Sequence, residues 1–289
     1  MGKTLTNEEW SNLIRAYVYT SILIGVLVIF QSIFNTSILS VVMFSGVRGK
    51  GFMNDPNYFS MLQLLSLIFV DRELSRKKNI YNIILILSIL LSGSKLALVT
   101  LIILLMIIYF KKLNLTLKNL IIIILTTFVF IFTFRKIYLG IINYQFNNFS
   151  LNRLQDFLIH RDLNSGGSDR GIVWRAALDT IKYTDGLGMG FGFYLPIVEK
   201  ISGVRLLAHN TYLQIIAEWG IPISLLFFYK IVQRYLLKYL NKMLTFEENA
   251  IIIVLMTFSL AISLQNSRIF WLFLAYSLKN NNKLLNEKE

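Results

Sequence analysis

One stretch constrains the fold more than any other: NIYNIILILSILLSGSKLALVTLIILLMIIYF, residues 79–110, in which Lys95 is the single charged side chain. Such a run belongs in lipid, where about 20 apolar residues cross roughly 30 Å of hydrocarbon. It is long for one span, and its ends decide how it is divided. Lys77 and Lys78 precede it and Lys111 and Lys112 follow it. Two basic ends on the cytoplasmic side require an even number of crossings, so the run is expected to break at Ser92-Gly93-Ser94-Lys95.

Further apolar runs cover 16–34, 58–70, 120–134, 211–229, 249–264 and 270–278. With 80–92 and 96–110 they give eight expected transmembrane helices. Composition agrees, with 55% hydrophobic residues gathered in blocks over 289 positions. The expected fold class is an all-α polytopic membrane protein. Without cysteine there is no disulfide framework and no thiolate metal site, and no redox clue to compartment.

The net charge of +13 sits largely in short connections: DRELSRKKN, KKLNLTLK, KIVQRYLLKYLNK and the tail KNNNKLLNEKE. These alternate with the spans and read as orientation signals, not as a nucleic-acid surface, which places both termini in the cytoplasm. The opening MGKTLTNEEWSNLIR is polar and lacks a small-residue cleavage site, so no removable signal peptide is expected. The resulting organisation is N-terminal membrane helices over 1–134, an external loop subdomain over 135–208 and C-terminal membrane helices over 209–289.

Function is expected in the external segments. Within NSGGSDRGIVWRAALDTIKYTDGLGMGFGF, Ser168 suits an N-cap and Ile172, Val173, Ala176 and Ile181 recur at helical spacing until Asp185-Gly186. This is a short amphipathic helix on which Arg170 and Trp174 share a face. Arg170 stands at the end where free backbone N–H groups favour an anion. The run GLGMGFGF fits neither nucleotide-binding fingerprint. It reads as a turn whose Gly188 and Gly190 let backbone approach a ligand or a helix. Beyond it, Asn210, Gln214 and Glu218 stack on one helix face, with His209 on the opposite side from Glu218, and Gly220 and Pro222 are expected to kink the span.

Five motifs, RGKGFMNDPN (48–57), SGSK (92–95), SDRGIVW (168–174), GLGMGFG (186–192) and HNTYLQIIAEWG (209–220), resemble in order and placement those of the O-antigen ligases and the related O-antigen and capsular polysaccharide polymerases. The resemblance covers roughly residues 48–229. Two departures stand out: members usually have more spans on the N-terminal side, which suggests a shortened or split version, and Lys95 replaces an arginine, keeping the charge without the bidentate fork.

The resemblance implies a polysaccharide polymerase in the bacterial cytoplasmic membrane, acting in capsular or exopolysaccharide assembly in the cell envelope. It would move a glycan repeat unit from an undecaprenyl diphosphate carrier to an acceptor glycan hydroxyl on the outer face, alongside membrane lipid and other assembly proteins. His209 is the implied catalytic residue, as base or as phosphate ligand, with Asn210 or a main-chain carbonyl fixing its tautomer. Arg48, Arg170 and Lys95 are the implied diphosphate ligands, and Asn210, Glu218, Trp174, Gly188 and Gly190 support them. No cofactor is implied, and the outer loops carry no Asp-x-Asp spacing for a metal. His160 falls outside the resembling motifs and is expected to be dispensable. Three alternatives stand beside this reading: a ligase of the same family, a lipid-linked glycan transporter, and a non-catalytic subunit. Each cation also has a plainer role as an interfacial anchor, and His209 as a polar residue at a membrane border.

Overall fold

The computed structural model describes residues 7–74, 78–111, 152, 170–203 and 205–279. They form ten α-helices, a single 3-10 turn and a two-stranded hairpin, and the chain divides into two compact units, Met1–Gly166 and Gly167–Glu289. The helical content accords with a chain whose apolar segments must satisfy their own backbone hydrogen bonds.

In the first unit, α1 (Asn7–Phe34), α2 (Pro56–Glu73) and α3 (Lys78–Leu91) pack pairwise, and α4 (Lys95–Lys111) lies against α2 and α3. Among the described residues only Glu8–Phe34 is both long and apolar enough to cross a membrane on those criteria; the apolar parts of α2, α3, α4 and the last helix are shorter. The expected run 120–134 lies outside the described residues. Polar side chains join the helices where apolar surfaces alone discriminate poorly. Tyr17 Oη donates to the Leu62 carbonyl at 2.6 Å, Gln63 Nε2 donates to the Ser21 carbonyl at 3.1 Å, and Ser88 Oγ donates to Gln63 Oε1 at 3.2 Å. Gln63 therefore links three helices. Asp55 begins α2 by accepting from the Asn57 and Tyr58 N–H groups, with Pro56 pre-set for the first turn.

The run 79–110 divides at the expected Ser92–Lys95 turn. Helix α3 ends at Leu91, Gly93 takes a left-handed φ of 60°, and Ser94 Oγ accepts from the Ala97 N–H to start α4.

The second unit holds α5 (Arg170–Tyr183), α6 (Tyr194–Ser202), α7 (Thr211–Trp219), α8 (Ile221–Leu240), α9 (Phe246–Ser259) and α10 (Arg268–Leu278). Here the expectation of one kinked span over 211–229 is corrected. Gly220 has φ 82° and ψ 161°, a conformation that only glycine adopts readily, and it ends α7 and begins α8 as separate helices. Pro222 falls in the first turn of α8, where its missing N–H costs nothing. The run 249–264 is helical only to Ser259.

The C-terminal end of this unit is closed by an ion pair. Lys238 Nζ reaches Glu248 Oε1 at 2.8 Å and donates to the Ser277 carbonyl near the end of α10 at 3.0 Å, and both charged side chains are buried. Glu248 also completes a capping box with Thr245 at the start of α9. Removing one partner strands a buried charge, at about 3–5 kcal/mol. Lys238→Met should therefore lower the thermal unfolding midpoint of the detergent-purified protein strongly, and Lys238→Met with Glu248→Gln should recover much of the loss. Equal midpoints for the single variant and wild type would show the pair to be dispensable.

Candidate functional site

The predicted cations of the first unit meet at a single turn. Arg48 lies on a hairpin formed by β1 (Met43–Phe44) and β2 (Arg48–Gly49), in antiparallel register with Phe44 opposite Arg48. Its Nε donates to the Ser92 carbonyl at 2.8 Å, which holds the guanidinium against the turn that carries Lys95. Lys95 is the first residue of α4 and half-buried. Glycine at position 49 is required by packing, since a Cβ there would lie 2.5 Å from Val28 Cγ1. Much of the first motif thus serves to fix the hairpin on α1 and α3, and Arg48 is the residue that ties it to the SGSK turn.

In the second unit, Arg170 opens α5 and Trp174 follows one turn later, both half-buried. The expected cap Ser168 lies outside the described residues, as does His160. The buried face of α5 is Val173, Ala176, Ala177 and Thr180, while Ile172, expected on that face, is exposed. The small alanines let α5 approach α7 closely, in a core shared with Ala208, Ala217, Tyr194 and Val198.

His209 immediately precedes α7. Its φ of 48° is left-handed, uncommon for a non-glycine residue. The reason is local: Ala208 and Asn210 are both buried, and the twist between them leaves the imidazole on the exposed side. Asn210 Oδ1 accepts from the Leu213 N–H, so its acceptor oxygen serves as the helix cap and fixes the backbone next to the imidazole. Thr211 secures the same turn from the other side, donating to the Ile262 carbonyl at 2.6 Å and accepting from the Leu264 N–H at 2.9 Å.

The glycine-rich segment closes the opposite end of α7. Met189 and Gly190 donate their N–H groups to the Ala217 and Glu218 carbonyls at 3.0 and 2.9 Å, and the Ile221 N–H donates to the Gly186 carbonyl at 2.7 Å. The contact is backbone on backbone: a Cβ on Gly188 would stand 2.4 Å from the Gly220 nitrogen. Since the C-terminal ends of α5 and α7 are joined here and their sides pack together, their N-terminal ends, bearing Arg170 and His209, both point away from this junction.

Glu218 is buried on the inner face of α7 and accepts from Gln214 Nε2 at 3.0 Å. Gly192 and Gln265 lie beside its carboxylate, and Tyr194 is close enough for its phenol to feel the charge. Burial, and then that carboxylate, push the Tyr194 phenol up, so the hydroxyl stays a donor. Gln265 and Tyr194 escape detection in the sequence. Gln265 sits in SLQNSR, which reads as a plain outer loop, and nothing in the spacing of Tyr194 from Glu218 links them. Among the described residues no group of three or more His, Asp or Glu side chains is placed to hold a metal ion.

Taken together, the two units are those of an all-α protein with apolar helices, a cation at the start of α5 and an outward histidine at the start of α7. A sequence model of the O-antigen ligase family matches residues 80–228, just over half of the chain, and the chain belongs to that family. Members are membrane proteins associated with glycosyltransferase-like chemistry. The matched region includes Lys95, Arg170, Trp174, Gly188, Gly190, His209, Asn210 and Glu218, but not Arg48 or Gln265. No curated protein and no solved structure matches the chain.

Gly188 and Gly192 provide a controlled comparison. Both have left-handed φ values, 84° and 82°, but a Cβ at Gly188 meets backbone while one at Gly192 meets nothing within 4 Å. Strained backbone alone costs about 1–3 kcal/mol. Gly188→Ala should therefore lower the thermal midpoint well below that of Gly192→Ala; similar midpoints would contradict the interlock.

Proposed function

We propose that this chain is a polysaccharide polymerase that transfers a glycan from an undecaprenyl diphosphate carrier to a hydroxyl of an acceptor glycan at the outer face of the cytoplasmic membrane. Family membership supports the reaction class, and the observation that carries the site assignment is the exposed, backbone-strained His209 fixed at the capped start of α7. In the transfer, the acceptor oxygen forms a bond to the donor's anomeric carbon as the bond from that carbon to the diphosphate oxygen breaks. His209 takes the acceptor's proton, a role suited to an imidazole, whose free ring nitrogen accepts a hydrogen.

The diphosphate leaves as an anion, and Arg170 offers it a guanidinium at a helix start, where backbone N–H groups add to the field. Arg48 and Lys95 are further phosphate ligands in this reading. With guanidinium and ammonium groups balancing the leaving charge, the reaction needs no divalent metal. The family description favours a second reading, in which one preformed glycan is ligated to a different acceptor. Product length separates them, since a polymerase yields a ladder and a ligase a single addition.

In cells lacking the chromosomal copy, His209→Ala should abolish polymer at wild-type protein level, because general-base help is worth roughly 10²–10⁴-fold. Arg170→Ala should reduce chain extension more than about tenfold, the loss expected from roughly 1.5–3 kcal/mol for a charge-assisted contact. Arg170→Lys should be poor as well, for want of the fork. Normal polymer from His209→Ala would make it a border residue, and normal polymer from Arg170→Ala would make it an anchor.

A further inference from the structure

The interior of the second unit contains an unusual concentration of unanswered polarity. Tyr194 Oη, Gln214 Oε1, Glu218 Oε2 and both polar atoms of Gln265 are buried with no close, well-aligned hydrogen-bond partner among the described residues. All four side chains are 2% exposed or less. They occupy one region: Gln214 bonds Glu218, the Gln265 side chain and the Gly192 backbone face the Glu218 carboxylate, and Tyr194 packs in the same core as the neighbouring Ala217. Such atoms are expensive to bury and are nearly always paired in folded proteins.

Three of the five atoms are acceptors, one is an amide donor and one a phenol that does both. A cation would satisfy the oxygens and be repelled by the amide; a carboxylate or phosphate would be repelled by Glu218. A hydroxyl, which gives one hydrogen and accepts others, answers every member.

The cluster has a thin cover. Gly192 lies beside the Glu218 carboxylate, is itself exposed, and has open space where a Cβ would be. Phe191 and Phe193, on either side of it, are about 60% exposed, at 62% and 60%. On the other wall, Trp271 Nε1 donates to the Gln265 carbonyl at 2.7 Å and Ser267 caps α10 just beyond, so the Gln265 backbone is held with its side chain facing Glu218.

We propose that Tyr194, Gln214, Glu218 and Gln265 form a sugar subsite beneath the glycine-rich segment, binding the hydroxyl groups of one residue of the glycan and thereby selecting it. The inference rests on the glycan-transfer reading above and adds to it the place where sugar identity is read. Opening requires movement of residues 190–193, where Gly190 and Gly192 supply the freedom. Water and sugar offer the same hydroxyl chemistry, and the test separates them.

Trp219 and Trp271 stack at 6.2 Å next to the cluster and serve as the reporter. The full-length protein in detergent is titrated with a panel of methyl glycosides of hexoses and N-acetylhexosamines while tryptophan emission is followed. At least one glycoside should give a saturable change, and Tyr194→Phe and Gln265→Leu should each weaken it roughly tenfold or more, because each leaves hydroxyls of the ligand or partners in the cluster unpaired. Tyr194→Phe removes a single oxygen and keeps the variant set interpretable should Gln265→Leu fail to fold. No saturable change with any glycoside, or unchanged affinities in the folded variants, would overturn the proposal and leave the cluster to internal water. Glycan transfer by wild type is assayed separately, so that absence of transfer with glycoside binding intact counts against the transfer reading alone.

Discussion

The second unit depends on how the C-terminus of a nine-residue helix is satisfied. A helix that stops leaves carbonyls without partners, and in apolar surroundings these are costly. Here the Ile216 carbonyl accepts from Gly220, and the Ala217 and Glu218 carbonyls accept from Met189 and Gly190 of a distant segment. Ser224 Oγ adds a bond to the Ile215 carbonyl from the first turn of α8. Only glycines permit so close an approach, and only because they are present can α7 stop after about 13 Å, well short of a membrane crossing.

Several features follow from that short helix. Its start becomes a fixed point at which Asn210 caps, Thr211 clamps the 262–264 segment and His209 is turned outwards. Its inner face carries Gln214 and Glu218 into the unit, under the same segment that closes its end. An aromatic group of Trp219, Phe227 and Trp271 fills the space beside the break. In the first unit the SGSK turn plays a comparable organising part, because Arg48 reaches its Ser92 carbonyl from the hairpin.

The sequence made the helical architecture legible, because apolar runs bounded by basic residues have one physical solution. The division of 79–110 at Ser92–Lys95 was readable from the lysines at its ends. The amphipathic helix at 170–183 was readable from its periodicity, although Ile172 faces out and Ala177 in, since tight packing on α7 favours the smaller side chain. The break at Gly220 was not readable as a stop. Hydrophobicity runs through it unchanged, and whether glycine kinks or ends a helix depends on partners remote in sequence, here Gly186 to Gly190. The polar cluster was half legible: the spacing of Asn210, Gln214 and Glu218 shows a stripe, but Tyr194 and Gln265 join it by tertiary contact alone.

The central claim is that the chain itself performs glycan transfer and does not merely carry lipid-linked glycan or assist another protein. The direct measurement is reconstitution of the purified chain in vesicles with an undecaprenyl diphosphate-linked oligosaccharide and its acceptor, in the presence of a chelator. The account predicts longer glycan products and stoichiometric release of undecaprenyl diphosphate, with His209→Ala silent under the same conditions. Movement of intact lipid-linked glycan across the bilayer without cleavage of the sugar–phosphate bond, or no glycan transfer by the purified chain with or without the chelator, would contradict it.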